Sequence, residues 1–353
     1  MTSSLPENRL ELALAWGDGA ITGARVAAGR PLAARLLNGR PVGEALALVP
    51  RLFSLCGTAQ GVAARVALEA ALGLRPRPDE RHQRLVGLWR EVVGEHLWRL
   101  ALDWPRWFGT GPRLNDFPVW RCHLLQGQAL GGAALPVWAD FREGAVALPA
   151  LAPSPVQPLP GMDLGEWADF LLPVWLAGGW EEVAAAPALS EGAVETGPLA
   201  RLLGGAEDGA AAQEIRQLWD QGRRPAARLA ARCAELTRLA AQAPDQGLPP
   251  DWVGGANLGS GTGLARVETA RGPLLHILQV KDERILHYGI IAPTEWNFHP
   301  QGAFTTDVTG LPAPDREAAR HLAEGLALSL DPCVEWSLTW DEGGEAPRGG
   351  RHA

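Results

Sequence analysis

The sequence predicts a mainly α-helical chain with small β-sheets, which is the α+β class. Apolar residues recur at helical spacing most clearly in 84–102. Alternating apolar residues and a Gly-Asp-Gly turn in 10–26 predict a β-hairpin near the start of the chain. A second hairpin is predicted in 266–300, where two segments rich in leucine and isoleucine flank a charged turn at 281–284. The helix content follows from this spacing, whereas the assembly of the sheets depends on the resemblance given below.

Proline, glycine and asparagine mark the remaining elements. Proline is favoured at the first helical position, and glycine or asparagine directly after the last. The predicted elements are helices in 31–37, 41–50, 59–72, 164–176, 211–241 (broken near Gly222) and 315–328, with a loop in 244–263. We expect one composite domain made of an N-terminal region (1–72), a tryptophan-rich helical middle (73–250), a C-terminal region (251–339) and a disordered tail (340–353).

Composition limits the classes of function that the chain can serve. Its 353 residues are 46% hydrophobic, enough for a large core and one to three domains. The formal net charge is −8 and the basic residues are scattered, so no nucleic-acid partner is expected. No apolar run approaches the ~20 residues of a membrane helix, and the first residues lack the apolar segment of a signal peptide. The four cysteines are widely spread without a CxxC pair, which favours a reduced, cytoplasmic protein.

Two cysteines lie where helices are predicted to begin. Cys56 directly precedes the helix predicted in 59–72, and the partial positive charge of a helix amino terminus favours a thiolate. The alternative is that Cys56 is a small buried hydrophobic residue. Asp331 and Pro332 are typical residues of a helix start, so Cys333 is predicted to lie in a first helical turn, in the same setting.

The second hairpin carries polar residues at both of its ends. Glu268 and Arg271 precede its first strand, and Pro293 and Thr294 follow its second. Arginine supplies a fixed cation, and a hydroxyl supplies a directed donor. If the strands pair, these groups meet at one anion-binding pocket. The alternative is a surface hairpin with an ion pair.

Two other motifs predict no site. Cys122 and His123 are neighbours, but no second pair of ligands lies at metal-binding spacing. The glycine run in 259–263 lacks the Lys-Ser/Thr that follows a phosphate-binding loop. Cys233 shares a helical face with apolar residues and is predicted to be core.

Four short motifs resemble the large subunit of nickel–iron hydrogenases. LCGTAQ is similar to the first half of the family's RxCGxC, and ETARGPLLH is similar to its EAPRG…H. IIAPTEWNFHP is similar to the P-S/T-x-W-N turn, and SLDPC to the first half of the C-terminal DPCxxCxxH. The resemblance covers 7–72 and 255–339. It implies a hydrogenase large-subunit-like fold with a shortened central region.

The chain departs from the family where the family binds nickel. The second cysteine of each pair is replaced by Ala59 and Trp336, and the final histidine, next to which a maturation protease cuts, is Thr339. Half of the thiolates are absent, so the resemblance implies no nickel, no hydrogenase activity and a tail that is kept. In this the chain is similar to the HupK/HoxV type of hydrogenase assembly proteins.

The resemblance also implies a cargo. Cys56 and Cys333, which match the family's terminal nickel ligands, are expected to hold an Fe(CN)2(CO) fragment transiently and pass it to a hydrogenase large subunit. Arg271 is expected to compensate the charge of one cyanide, and Thr294, with the backbone around Pro293, to donate to the other. Glu268 is expected to fix Arg271 by an ion pair. The expected partners are that subunit and the proteins that deliver iron and cyanide.

Two further hypotheses stay open from the sequence. One is a cofactor-free docking chaperone that binds maturation proteins or hydrogenase subunits. The other is a redox enzyme that uses the two cysteines as a disulfide or as a different metal site. Glu7 lies near the position of the family's proton-relay glutamate, and it is equally well a plain surface acid.

Overall fold

Small sheets and many helices make up the part of the chain that the computed structural model describes, residues 9–29, 33–53, 55–128, 130, 135–205, 209–242 and 248–341. The strands are β1 (Arg9–Gly17), β2 (Ala20–Gly29), β3 (Gln157–Pro158), β4 (Val194–Glu195), β5 (Val253–Gly259), β6 (Thr262–Thr269), β7 (Gly272–Lys281), β8 (Arg284–Ile291) and β9 (Glu335–Trp340). The helices are α1 (Val42–Leu52), α2 (Gly57–Leu72), α3 (Pro78–Trp98), α4 (Trp104–Trp107), α5 (Asp116–Leu125), α6 (Trp138–Phe141), α7 (Leu164–Ala177), α8 (Trp180–Ala185), α9 (Pro198–Gly204), α10 (Ala210–Asp220), α11 (Arg224–Ala240), α12 (Pro293–Asn297), α13 (Ala303–Val308) and α14 (Arg316–Leu330).

Most predicted helices are present, with shifted ends. α1 continues through Pro50 to Leu52 instead of stopping at the proline. α3 begins at Pro78, earlier than predicted. The apolar periodicity does not reveal its first turns, because they are polar. A π-helical turn, Arg99–Asp103, then joins α3 to α4. No helix in the described ranges is long and apolar enough to cross a membrane.

The first sheet joins the two ends of the described chain. β1 and β2 form the predicted antiparallel hairpin, and β9 pairs with β1 in parallel, from Arg9 opposite Glu335 to Leu14 opposite Trp340. Leu10, Leu12 and Leu14 alternate toward a core shared with α13 and α14. The predicted tail is wrong at Trp340, which lies in β9, and 342–353 fall outside the described residues.

The second hairpin belongs to a four-stranded antiparallel sheet in the order β5-β6-β7-β8. β7 and β8 pair as predicted, and Asp282 and Glu283 take positive φ angles of 50° and 58° in the turn between them. The loop predicted in 244–263 is wrong over most of its described part, because β5 and the start of β6 lie there.

α2 packs directly on this sheet because both surfaces are made of small residues. Ala63, Ala64 and Ala67 are fully buried on the helix. A Cβ added to Gly263 of β6 would lie 2.0 Å from the Ala67 carbonyl oxygen. A glycine that reads as loop punctuation in the sequence is therefore a point of close backbone approach. This contact sets how closely the C-terminal half of α2 lies against the sheet.

Candidate metal centre

Cys56 lies where the sequence predicts it, and Cys333 is in a different setting. Cys56 is the N-cap residue of α2 and is 8% exposed. Cys333 begins no helix, so that prediction is wrong. Asp331 takes a left-handed φ of 55° and ends α14, and the chain then enters β9. β9 pairs with β1 from Glu335 onward, so the chain enters a strand shortly after Cys333 and the helix-start residues begin no helix.

The fold brings the two cysteines together, far apart as they are in the sequence. The Cys56 and Cys333 thiols are in hydrogen-bond contact. The Gln60 amide nitrogen lies 3.6 Å from the Cys56 sulfur. The Thr294 hydroxyl lies 3.0 Å from the Cys333 sulfur and accepts from the Cys333 N–H at 3.2 Å. Besides the other thiol, each sulfur therefore has a neutral polar side chain in contact with it.

The amino end of α2 does not favour a Cys56 thiolate, contrary to the sequence prediction. Its first free N–H groups, at Thr58 and Ala59, donate to the Glu91 carboxylate at 2.7 and 2.9 Å. The hydrogen bond with Cys333 raises the pKa of the Cys56 thiol well above its usual value, and burial and the nearby Glu95 and Glu91 charges add to this. In the metal-free protein Cys56 is a thiol, and a bound cation would favour its ionisation.

Arg271 is buried next to the cysteines, but its charge is already shared. Its Nε donates to the Asp331 carbonyl oxygen at 2.9 Å and lies 3.2 Å from the Asp331 carboxylate. Its Nη1 pairs with the Glu95 carboxyl. Burial opposes the charge on Arg271, and the attraction of Asp331 and Glu95 outweighs this opposition, so its pKa is raised. Arg271 therefore stays a cation beside both thiols.

Asp331 holds three guanidinium groups in the segment that leads to Cys333. Arg99 and Arg232 contact its two carboxylate oxygens at 2.5 and 2.8 Å, and Arg271 is the third cation. These cations lower the pKa of Asp331 against the effect of burial. Arg99 also pairs with Asp103 at 2.6 Å.

Glu95, which pairs with Arg271, is an acid whose pKa is strongly changed by its surroundings. Burial raises its pKa to about 8, with Arg271 opposing and Glu91, Asp331 and Cys333 adding to the rise. Its Oε1 is buried without a hydrogen-bond partner. At neutral pH Glu95 is therefore mostly protonated, which leaves the surrounding arginines with excess positive charge.

Sequence reasoning missed Glu91, Glu95 and Asp331 as parts of this site. The available signal was the spacing of the two glutamates, four residues apart beside the buried Val92 and Val93 of α3. The sequence indicates Asp331 only as a typical residue of a helix start.

The remaining predicted residues are placed as follows. Glu268 pairs with Arg201 at 3.6 Å and with Arg266 at 3.4 Å, so the expected ion pair with Arg271 is wrong. The side chain of Arg271 extends instead to Asp331. Pro293 is the first residue of α12 and is buried with Thr294. Glu7 lies outside the described residues.

The side chains at this centre supply two sulfur ligands. Within the described ranges, no group of three or more histidine, cysteine and acidic residues could hold a metal ion. Ala59 is fully buried, and Trp336 packs against the core of the β1 sheet. A metal bound by Cys56 and Cys333 would need its other ligands from outside the protein.

Comparison with known proteins agrees with the geometry. A family model described as nickel-dependent hydrogenase matches 182–334. The fold is that of a large hydrogenase subunit: the [NiFeSe] hydrogenase of Desulfovibrio vulgaris Hildenborough covers 92% of this chain and 95% of its own, with a TM-score of 0.64 at 15% identity. The enzyme of Desulfomicrobium baculatum gives a TM-score of 0.58 at 16% identity, over 91% of this chain and 95% of its own. The predicted fold class is confirmed.

Curated relatives match along nearly the whole chain. Hydrogenase expression/formation protein HupV of Azotobacter chroococcum mcd 1 is 34% identical, covering 94% of this chain and 98% of its own. HupK of Bradyrhizobium diazoefficiens is 33% identical, covering 90% of this chain and 92% of its own. HoxV of Cupriavidus necator is 31% identical, covering 90% of this chain and 93% of its own. The chain thus belongs to the HupK/HupV/HoxV family of hydrogenase expression/formation proteins.

Proposed function

We propose that this protein is a non-catalytic scaffold in hydrogenase maturation that holds an Fe(CN)2(CO) fragment between Cys56 and Cys333. The observation that carries the proposal is the contact of these two thiols beside the buried Arg271. The hydrogenase large subunit is the proposed recipient, and iron–cyanide delivery proteins are the proposed donors. A reduced, cytoplasmic compartment would keep both thiols available.

The chemistry of the centre fits this cargo. Low-spin iron(II) with carbon monoxide and cyanide is a soft fragment that takes thiolate ligands, and it brings its other ligands with it. Iron(II) with two cyanides is neutral, so two thiolates make the bound unit a dianion. The three arginines around Asp331, with Glu95 mostly protonated, supply compensating positive charge. Two sulfurs alone do not make a four-thiolate nickel site, so no nickel is expected.

Two residues would orient the cyanides. Arg271 is buried beside the cysteines, and Thr294, which follows Pro293 at the start of α12, contacts Cys333. In the metal-free protein the Thr294 hydroxyl contacts the Cys333 sulfur, so donation to a cyanide would replace that contact. Outer contacts of this kind commonly change metal binding about 10–100-fold when they are lost.

Infrared spectroscopy of protein purified anaerobically from a hydrogenase-producing host tests the proposal. We expect CO and CN stretching bands in the wild type and their loss in Cys56→Ser and Cys333→Ser. Cys122→Ser, at an exposed cysteine, is the control and should keep the bands. Absence of bands in the wild type, or bands unchanged in both cysteine variants, would contradict it.

The docking-chaperone alternative is favoured by a separate feature. An open cavity of about 1000 Å³ is lined by aromatic residues, among them Trp175, Trp180 and Phe298, and not by either site cysteine. Co-purification with hydrogenase subunits that survives in a Cys56→Ser, Cys333→Ser double variant would support this function without cargo.

A further inference from the structure

Three buried polar side chains lead from the Cys56 sulfur into the β7–β8 hairpin. Gln60 of α2 places its amide nitrogen 3.6 Å from the sulfur and its amide oxygen 2.9 Å from His276 Nε2. His276 Nδ1 lies 2.8 Å from the Tyr288 hydroxyl. Gln60 and His276 are 1% and 0% exposed, and Tyr288 is 5% exposed. The proposed function assigns none of them a role.

In this series of hydrogen bonds, each side chain donates to the next one toward the Cys56 sulfur. An amide oxygen only accepts, so His276 Nε2 carries the hydrogen. Burial lowers the pKa of His276 to about 3, so the imidazole is neutral and Nδ1 accepts from the Tyr288 O–H. With its oxygen held by His276, Gln60 turns its N–H toward Cys56.

We propose that Gln60 is a positioning residue for Cys56. His276 and Tyr288 fix the orientation of the Gln60 amide, so that its N–H and not its oxygen faces the sulfur. The proposal rests on Cys56 acting as a metal ligand, as in the proposed function. An N–H donor disperses the charge of a metal-bound thiolate. In the metal-free protein the Thr294 hydroxyl also contacts the Cys333 sulfur, and either atom can be the donor in that contact.

The direction of these hydrogen bonds matters because a reversed Gln60 amide would have the opposite effect on the Cys56 thiolate. A carbonyl oxygen facing Cys56 would accept from the thiol S–H and repel the thiolate, which disfavours metal binding. Loss of the Tyr288 hydroxyl would free His276 to place its hydrogen on Nδ1. Nε2 would then accept, and Gln60 would be drawn to reverse.

Cobalt(II) titration of the metal-free protein tests this, with the thiolate-to-cobalt absorption band as the readout. In Gln60→Met we expect about 10-fold or weaker binding and a band shifted to lower energy, because the thiolate loses its donor. Tyr288→Phe should shift the band in the same direction by less. Gln126→Met is the matched control, since Gln126 also contacts a cysteine four residues earlier, Cys122, at 3.5 Å on the exposed surface.

A merely structural role for Gln60 would weaken binding without moving the band. Identical bands in wild type, Gln60→Met and Tyr288→Phe would overturn the proposal, and so would the absence of any thiolate–cobalt band in the wild type. A band that depends on Gln60 in a protein without CO and CN stretches would support this inference and contradict the iron cargo. CO and CN stretches that do not respond to Gln60→Met would support the iron cargo and contradict the role of Gln60.

Discussion

At the scale of single residues, neighbours decide the chemistry of Cys56. A cysteine at a helix start usually ionises more easily. Here the Glu91 carboxylate occupies the helix N–H groups, and the Cys333 thiol shares a hydrogen bond with Cys56. The sequence identifies both cysteines and Arg271. It cannot show Glu91, because that contact joins two helices whose relative placement is set by the whole core.

Glu95 gives the protein a pH-dependent stability with a definite sign. Its pKa is 4.5 when exposed and about 8 in the fold. Between these values the folded state binds a proton that the unfolded state has lost, so the free energy of unfolding falls as pH rises.

We expect Glu95→Gln to remove that slope. From pH 6 to 7.5 the wild type should lose up to ~1.4 kcal/mol per pH unit relative to the variant, measured by urea unfolding. Glu44→Gln, at an exposed acid, should keep the wild-type slope. Parallel curves for wild type and Glu95→Gln would show that Glu95 is ionised in the folded state.

At the scale of elements, the β7–β8 hairpin is predictable and the rest of its sheet is not. The turn at 281–284 and its flanking apolar segments are local signals. β5, the turn after it and the start of β6 are rich in glycine, which by itself indicates a loop. Only the packing of α2 shows that Gly263 is a contact point, because the neighbouring surface is distant in the sequence.

Gly263→Ala should therefore be strongly destabilising. The added methyl group meets the Ala67 carbonyl oxygen at 2.0 Å, so helix and sheet must separate. We expect a loss of about 2–3 kcal/mol in the free energy of unfolding, measured with urea. Gly254→Ala in β5 is the control: its methyl group would meet Leu164 at an ordinary 3.5 Å, and the change should be small. Equal effects would mean that close approach is not the reason for Gly263.

At the scale of the whole molecule, the candidate metal centre depends on contacts between distant parts of the chain. α2, α3, the β6–β7 turn and the segment after α14 each contribute to it. Short motifs pointed to three of these parts because a family resemblance links them. β9 carries no such signal, and its pairing with β1 fixes the chain from Glu335 onward, shortly after Cys333.

Leu338→Ala tests the coupling of β9 to the core. Leu338 is 9% exposed and packs in the core of the β1 sheet. We expect a loss of about 2–3 kcal/mol in stability and weaker cobalt(II) binding at Cys333. Leu286→Ala, at a residue that is 44% exposed, should change neither measurably. Unchanged cobalt(II) affinity in Leu338→Ala would show that Cys333 is held without β9.

The central position of β1 in its sheet sets an order of events during synthesis. β2 follows within a few residues, but the other edge of β1 stays open until β9, far along the sequence, leaves the ribosome. Cys56 and Cys333 can therefore meet only after the residues between them have been synthesised. A nascent chain that ends before Cys333 would lack one of the two thiols of the proposed cargo site.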